Sequence, residues 1–495
     1  MRKKFVLYQQ MANDITYGEF TRFPELAVVG SISGVLVAKE VVGHILNIKP
    51  QTYNAFFDIN PFNLKVTLHK LPRQKDCYAC SKRTMNKKSS KNPEIQVWQN
   101  DSKRKYISSY SAKIIGDNLG AYYVEGGSAS INKEIAKNKA VFESIERYSG
   151  SKIPSSLVKQ PYAKVATKAI NPKNFIFYNN SQFNKRGFPY SKYQLSDQIE
   201  WIKGKALLNS KDVLIPAFAV YLGYNEGISK SGKYFPTPSS GLAVQKTQKK
   251  AIINAIFELV ERSNAMKVWL NKLSAPVLTI STIHSPKLKN LISNINREGL
   301  SVAVLLSSQE LPIPSFIAIV YSEKGKLPIT TFGLSAGIDI EKAIQKSIEE
   351  ALMVRCSLEY MGQTYGSGIF EKNPKQVKTF FDHSLYYSSP KKRKNWEFMI
   401  RGRKISIEQM KETFPLKKFE NDFYRNLIDT LKKFEYDTYV VDLTSNMAGA
   451  MKLCCVKVII PKLRQMEINN NLKFLGYGGK EDKKKLVKSF PHPYA

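Results

Sequence analysis

Two stretches of this 495-residue chain share one design, and that repetition constrains the fold more than any other feature. Residues 239–262 open with Ser-Ser-Gly-Leu-Ala and end in Glu258-Leu-Val-Glu261-Arg262, while residues 126–147 open with Gly-Gly-Ser-Ala and end in Glu143-Ser-Ile-Glu146-Arg147. At about 100° per residue, a helix puts Ile252, Ile253, Ile256, Phe257, Leu259 and Val260 on one side. Glu258, Glu261 and Arg262 share the other side with Ala251 and Ala255. The first copy repeats this, with Val141, Ile145 and Tyr148 set against Glu143, Glu146, Arg147 and Ala140. The pattern predicts acids on a small-residue face opposite the core, each helix entered through a glycine turn, Gly126-Gly127-Ser128-Ala129 or Ser240-Gly241-Leu242-Ala243. A third, weaker copy spans residues 333–355. There Glu350 shares a face with Ala343 and Ser347, and Arg355 closes the helix.

Carboxylates one helical turn apart can share a hard cation such as Mg2+, which takes oxygen ligands and usually bridges to substrate phosphates. An arginine one residue later offers a fork for phosphate oxygens. Glycine turns that lead into helices let backbone N–H groups approach an anion. A lone Glu-x-x-Glu-Arg is more often a solvated helix face with local charge pairs. Two copies, each with an apolar back, favour a site.

In this order the three glycine-then-helix units resemble the YcaO superfamily, whose members use ATP to activate a peptide amide. The resemblance implies an α/β (α+β) core with mixed sheets and helices around a nucleotide site, and ATP and Mg2+ as cofactors. It assigns Glu143, Glu146, Glu258 and Glu261 to Mg2+ and nucleotide contacts, with Ser128 and Glu350 as further nucleotide-site members. It assigns Arg147, Arg262 and Arg355 to phosphate charge or to holding those acids. The implied activity is ATP-dependent cyclodehydration of a ribosomal precursor peptide, turning Cys, or Ser and Thr, into thiazoline or oxazoline. The end of the chain, Phe490-Pro491-His492-Pro493-Tyr494-Ala495, resembles the proline-rich terminus that reaches the active site in azoline-forming members. That makes Pro491, His492, Pro493 and Ala495 catalytic candidates, with His492 near neutral pKa as a contributor to proton transfer. Several positions depart from the family pattern: Gln245-Lys246-Thr247 stand where Gly-Asn-Thr is usual, Lys250 where an acid is usual, Ser263 where Asp is common, Met353 where Gln is usual, and Ala495 where the last proline of the terminus would be. They leave open a second reading, a YcaO-like scaffold that binds peptide or partner enzymes without ATP turnover.

Residues 1–80 read as a small separate α/β unit. A buried helix is expected within Ala27–Val42 and strands at Tyr53–Ile59 and Leu64–His69. The following Leu71-Pro72-Arg73 and Cys77-x-x-Cys80 resemble the tail of the E1-like (ThiF-like) domain found with such proteins, here a shortened remnant. In complete E1-like domains the cysteine pair is half of a zinc site. A structural zinc ion needs four N or S ligands, so His69, a partner chain or a second copy would have to complete Cys77 and Cys80. The shortened unit implies a separate leader-binding protein, E1-like or RRE. A flavin azoline dehydrogenase and a homo-oligomer are further expected partners. Residues 81–97 are polar and basic and read as a linker, leaving 98–495 as the YcaO-like domain.

Composition bounds the rest. Hydrophobic residues make up 43% and aromatics 11% of the chain, which excludes a disordered protein. A net charge of +35 favours anionic partners, but the basic residues are scattered and no aromatic-interleaved stripe marks a nucleic-acid module. No run of eighteen apolar residues predicts a membrane span. Five cysteines in this length fit a reducing, cytoplasmic setting better than a disulfide framework.

Overall fold

The computed structural model describes residues 93–100, 104–115, 124–224, 232–237, 239–309, 311–414, 422–477 and 480–494, with the backbone of two earlier strands at 55–59 and 66–70. The chain divides into two units, Met1–Ser90 and Lys91–Ala495. In the first, β1 (Ala55–Ile59) and β2 (Val66–Lys70) pair antiparallel, within a residue or two of the expected strands. The expected helix at Ala27–Val42, and Cys77 and Cys80, lie outside the described residues.

The second unit holds three sheets. A three-stranded antiparallel sheet runs in the order β3 (Glu94–Gln99), β4 (Ser108–Ile115), β5 (Glu125–Ser130). β3 begins inside the stretch expected as a linker. Its alternation of Ile95 and Val97 inward with Glu94 and Gln96 outward is a strand pattern hidden by the polar neighbours. A second sheet has the order β6 (Val158–Gln160), β7 (Ile199–Ala206), β15 (Tyr439–Asp442), β16 (Cys454–Ile459), β9 (Leu242–Gln245), with β8 (Asp212–Pro216) paired to β7. The third has the order β13 (Thr330–Ala336), β12 (Ser315–Ser322), β11 (Leu300–Leu306), β10 (Val277–Leu278), β14 (Lys404–Ile405). Apolar runs that read as strands in the sequence, such as Leu300–Leu306 and Tyr439–Asp442, are strands here, and the mixed α/β class is as expected.

Three long helices organise the core: α1 (Lys133–Gly150), α2 (Gln248–Leu270) and α3 (Ile340–Tyr365). Each is capped by a side chain that accepts a backbone N–H of the first turn, from Asn132, Thr247 and Asp339 respectively. Each follows the edge strand of a different sheet, β5, β9 and β13. The packing is cyclic: α1 lies on β5 and β9, α2 on β9 and β13, and α3 on β13 and β5. Three unrelated sheet edges are thereby drawn around one axis. No helix among the described residues is long and apolar enough to cross a membrane.

Two features differ from the sequence reading. Gly126 and Gly127 are not in a turn but inside β5, and Gly333 is inside β13; of the three segments only Gly241, at φ +83°, turns the chain. The small-residue helix faces are also not opposite the core. Ala136 and Ala140 of α1, Ala251 and Ala255 of α2, and Ala343 and Ser347 of α3 are essentially inaccessible, whereas Ile253 and Phe257 keep some exposure. The reason is steric. A Cβ on Gly126 would meet the Ala140 carbonyl oxygen and the Ser144 nitrogen at 2.5 Å, and one on Gly333 would meet the Ser347 oxygen at 2.1 Å and the Ala351 nitrogen at 2.5 Å. Small residues on the helix and none on the strand let backbone close on backbone.

Gly126→Ala and Gly333→Ala should each cost about 1–3 kcal/mol of stability, read as a lowered urea midpoint. Gly368→Ala, where an added Cβ meets nothing within 4 Å, should leave the midpoint unchanged. Equal midpoints for all three would refute the close approach.

Candidate active site

The glycine approach sets a register that all three units keep. Glu143, Glu258 and Glu350 each lie seventeen residues after Gly126, Gly241 and Gly333. Each of these glutamates accepts a backbone N–H from its own strand or turn: from Gly127 at 2.8 Å, Gly241 at 2.9 Å and Leu334 at 3.0 Å. The N–H groups expected to face an anion are therefore taken by the protein's own carboxylates. In the first two units the second carboxylate oxygen pairs with the arginine four residues on, Arg147 to Glu143 at 2.7 Å and Arg262 to Glu258 at 2.9 Å. Arg262 also donates to Ser240 Oγ at 2.6 Å. Two-sided anchoring of this kind fixes a rotamer that a solvated glutamate would not keep.

Held there, the acids of different helices feel one another. Burial, then the charges of Glu258 and Glu143, push the Glu146 carboxyl well above the usual carboxylate range. Burial, then Glu350 and Glu258, do the same to Glu261. Burial lifts Glu350 to about 7 against the Leu334 N–H and Arg262, which oppose it. Glu258 is thus shared by two groups of acids, one between α1 and α2 and one between α2 and α3.

The second group borders a cavity of about 290 Å³, walled by Gly127, Ser128 and Ala129 of β5, Leu334–Ala336 of β13, and Glu258, Glu261, Glu349 and Glu350. Ser128 lies on this wall. Among the described residues no three His, Cys, Asp or Glu side chains close into a metal cage. Paired carboxylates around an open cavity suit Mg2+, which keeps waters and phosphate oxygens in its shell. Burial first, and the charges of neighbouring acids after it, raise these pKa values, and a bound cation would offset the repulsion. The residues present therefore fit Mg2+ carried by a polyphosphate.

Arg355 is not part of this site. It lies five residues after Glu350, not four, and one extra residue turns it about 100° around the helix. Val354 takes the position of Arg147 and Arg262, and Met353 that of Glu146 and Glu261. Arg355 is fully buried, pairs with Glu359 at 3.1 Å and donates to the Pro328 carbonyl at 2.7 Å. Glu359 in turn binds Arg104 at 2.6 Å, so the arginine ties α3 to the segment leading into β4. Lys250 is exposed on the first turn of α2, its N–H donated to Thr247 Oγ1, and does not reach the cavity. Ser263 is fully buried and its Oγ accepts the Arg464 N–H at 3.0 Å.

The tail is threaded into the molecule. Tyr387, on α4 (Phe380–Tyr387), donates to the Pro491 carbonyl at 2.7 Å, His383 Nδ1 to the His492 carbonyl at 2.6 Å, and Tyr494 to the Ala265 carbonyl at 3.1 Å. His492 is buried and donates Nε2–H to the Glu467 carbonyl at 2.8 Å. The near-neutral pKa expected of it is overturned: burial lowers it to about 3, so the ring is a neutral wedge. It stands beside Phe380, over which the Arg262 guanidinium lies at 6.0 Å, so the tail supports the arginine that holds Glu258. Pro491 and Pro493 stiffen this segment; Ala495 lies outside the described residues.

Sequence reasoning missed Glu349, Lys139, Asn254, Lys346 and Lys457. The first four line the cavity, and aligning the three helices on Glu143, Glu258 and Glu350 would have found Lys139, Asn254 and Lys346, each four residues earlier. Lys457, on the buried strand β16, donates to the Ser240 carbonyl at 2.8 Å, and burial lowers its pKa to about 8. No local pattern marks it.

Comparison with known proteins fits this geometry. The profile of the YcaO cyclodehydratase family, described as ATP- and Mg2+-binding, matches residues 128–464, and the chain belongs to that family. An uncharacterized protein of Methanothermobacter thermautotrophicus is 21% identical over 354 residues, 71% of this chain and 84% of its own. Among solved structures, a heterocyclase in complex with substrate and cofactor superposes with a TM-score of 0.63 at 17% identity, over 83% of this chain and 60% of that one. This chain thus spans less than two thirds of that protein's length. YcaO from Methanopyrus kandleri, bound with AMPPCP and Mg2+, gives 0.54 at 17% identity over 76% and 88% of the two chains. The E. coli microcin synthetase McbBCD complex gives 0.58 at 14% identity over 81% and 96%. These likenesses are of fold.

An acid whose folded pKa is raised above its unfolded value holds its proton longer in the folded state, so it costs stability as pH rises from the unfolded pKa through the folded one. For Glu350 that window runs from about 4.5 to about 7. Without ligand, Glu350→Gln should therefore be more stable than wild type at pH 8 and match it near pH 4. Urea unfolding at the two pH values reads the difference, and a constant offset would contradict the raised pKa.

Proposed function

We propose that this chain is an ATP-dependent cyclodehydratase that converts Cys, or Ser and Thr, of a ribosomal precursor peptide to thiazoline or oxazoline. The observation that carries the reading is the convergence of carboxylates from three helices, with Glu258 shared between the Glu146 and Glu261/Glu350 groups. Bound here, Mg2+ and ATP would supply cationic charge and a phosphoryl group for the peptide amide oxygen, which would then leave as phosphate.

The chain's own residues do the placing. Glu146 and Glu258 would take metal on the α1 side, and Glu261 with Glu350 on the α2 and α3 side. Glu143 belongs to the same acidic face, oriented by Gly127 and Arg147. Arg147 and Arg262 keep their glutamates in position and lend positive charge to phosphate oxygens. The buried tail, through His492 and Phe380, fixes Arg262 rather than moving a proton. In this reading the peptide arrives with a separate leader-binding protein, E1-like or RRE, and a flavin azoline dehydrogenase acts afterwards where azoles are the final product. Homo-oligomerisation and zinc at Cys77 and Cys80 belong to the same reading of the first unit.

Co-expression with a precursor peptide and its leader-binding protein should give products lighter by one water per ring, with formation stopped by EDTA. Glu258→Ala should lower the rate by about a hundredfold or more. Absence of water loss, with Mg-ATP bound or not, would replace the enzyme by the scaffold reading, which needs no ATP turnover. Purified chain alone should modify peptide slowly, and adding the leader-binding protein should restore the rate.

A further inference from the structure

Glu258 is the carboxylate shared by both acid groups, and the N–H that orients it is held differently from its two counterparts. Gly127 and Leu334 donate from inside sheet ladders, opposite Ser111 and Ile317. Gly241 stands one residue before β9, whose ladder with β16 begins at Leu242 opposite Lys457. It belongs to a four-residue turn, Ser239 to Leu242, closed by the Leu242 N–H on the Ser239 carbonyl at 2.9 Å. Its φ of +83° at the third position is that of a type II turn. Types I and II differ by a flip of the peptide between the two central residues, here Ser240 and Gly241. Such a flip would turn the N–H away from Glu258.

A planar trans peptide sends its carbonyl and its N–H in opposite directions, so whatever holds one aims the other. Lys457 Nζ donates to the Ser240 carbonyl at 2.8 Å, and the N–H of the same peptide meets Glu258 at 2.9 Å. Lys457 is only 3% exposed, and its strand is paired on both sides, to Val441 of β15 and to Leu242 of β9. The ammonium is therefore presented from rigid backbone. A buried ammonium is costly unless it is hydrogen-bonded and paired; burial lowers the pKa of Lys457, and the charge of Glu258 is the first influence that opposes this.

We propose that Lys457 is a positioning residue: by holding the Ser240 carbonyl it keeps the Ser240–Gly241 peptide in the orientation that aims its N–H at Glu258. It does for the second unit what the sheet ladder does for the other two. Its charge also polarises the peptide and strengthens the N–H as a donor. The consequence for Mg-ATP rests on the reading given under Proposed function; the consequence for the turn does not.

Hydrogen exchange of the full chain, read by mass spectrometry on a fragment covering residues 239–246, follows the turn without any ligand. Lys457→Met should exchange there roughly tenfold faster than wild type, with residues 126–131 unchanged. Calorimetric titration with Mg-ATP follows the site. Lys457→Met should bind roughly tenfold more weakly, as expected for loss of one charge-assisted hydrogen bond. Lys457→Arg, which keeps a cationic donor, should recover most of the affinity. Val441→Ala, a buried truncation on the neighbouring strand, should bind within about twofold of wild type whatever stability it loses, which separates positioning from a general loosening of the sheet. If Lys457→Met does not fold, Lys457→Gln, neutral and one bond shorter, takes its place in both measurements. Faster exchange with unchanged affinity would overturn the positioning role and leave the nucleotide reading standing. Unchanged exchange would overturn the peptide-plane assignment whatever the affinity. No binding of Mg-ATP by wild type would overturn the nucleotide reading and the positioning role together, while exchange alone still decides the turn.

Discussion

The closeness of strand to helix at Gly126 and Gly333 is the constraint on which the site depends. Where no Cβ separates the two backbones, a glutamate one turn further along the helix comes within hydrogen-bond reach of a strand or turn N–H. Gly241 reaches the same result through a turn at positive φ. Small residues at Ala140, Ala255 and Ser347 are the other half of the arrangement, because a larger side chain there would lift the helix from its strand. Each carboxylate is thereby fixed by covalent geometry and packing before any charge partner is considered.

Repetition turns three local devices into one site. A single strand-helix unit would leave its acids on an ordinary helix flank. Because α1, α2 and α3 each lean on the next unit's strand, the flanks face one another and like charges accumulate. Burial, with the like charges added to it, makes ionising these acids unfavourable and raises the pKa values of Glu146, Glu261 and Glu350. The third unit is the uneven one. With Met353 and Val354 in place of an acid and an arginine, and Glu349 added one residue earlier, it lacks the Glu-x-x-Glu-Arg set of the other two and lines the cavity with Lys346, Glu349 and Glu350.

Much of this was legible in the sequence, and the failures have physical causes. Glu143, Glu146, Glu258 and Glu261 stand out because a 3.6-residue period and a repeated motif coincide. Glu350 is found by its small-residue neighbours. Arg355 misleads because a motif read by eye tolerates a shift of one residue, which on a helix changes the face. The glycine segments read as turns because glycine in a strand, left empty for a helix to approach, has the same local composition. The helix polarity was inverted for a related reason: alanine is counted as a weak hydrophobe, yet here it marks the tightest contact. Lys457 and the neutral state of His492 depend on burial by distant segments, which no local pattern carries.

The central claim is that acids from separate helices meet around one metal-bound triphosphate. Anomalous diffraction from crystals grown with Mn2+ and a non-hydrolysable ATP analogue tests it most directly. The account predicts a manganese peak within coordination distance of carboxylates from two different helices, Glu258 among them, with the phosphate chain in the β5–β13 cavity. Manganese on a single helix flank, or nucleotide bound away from Glu258, would contradict it.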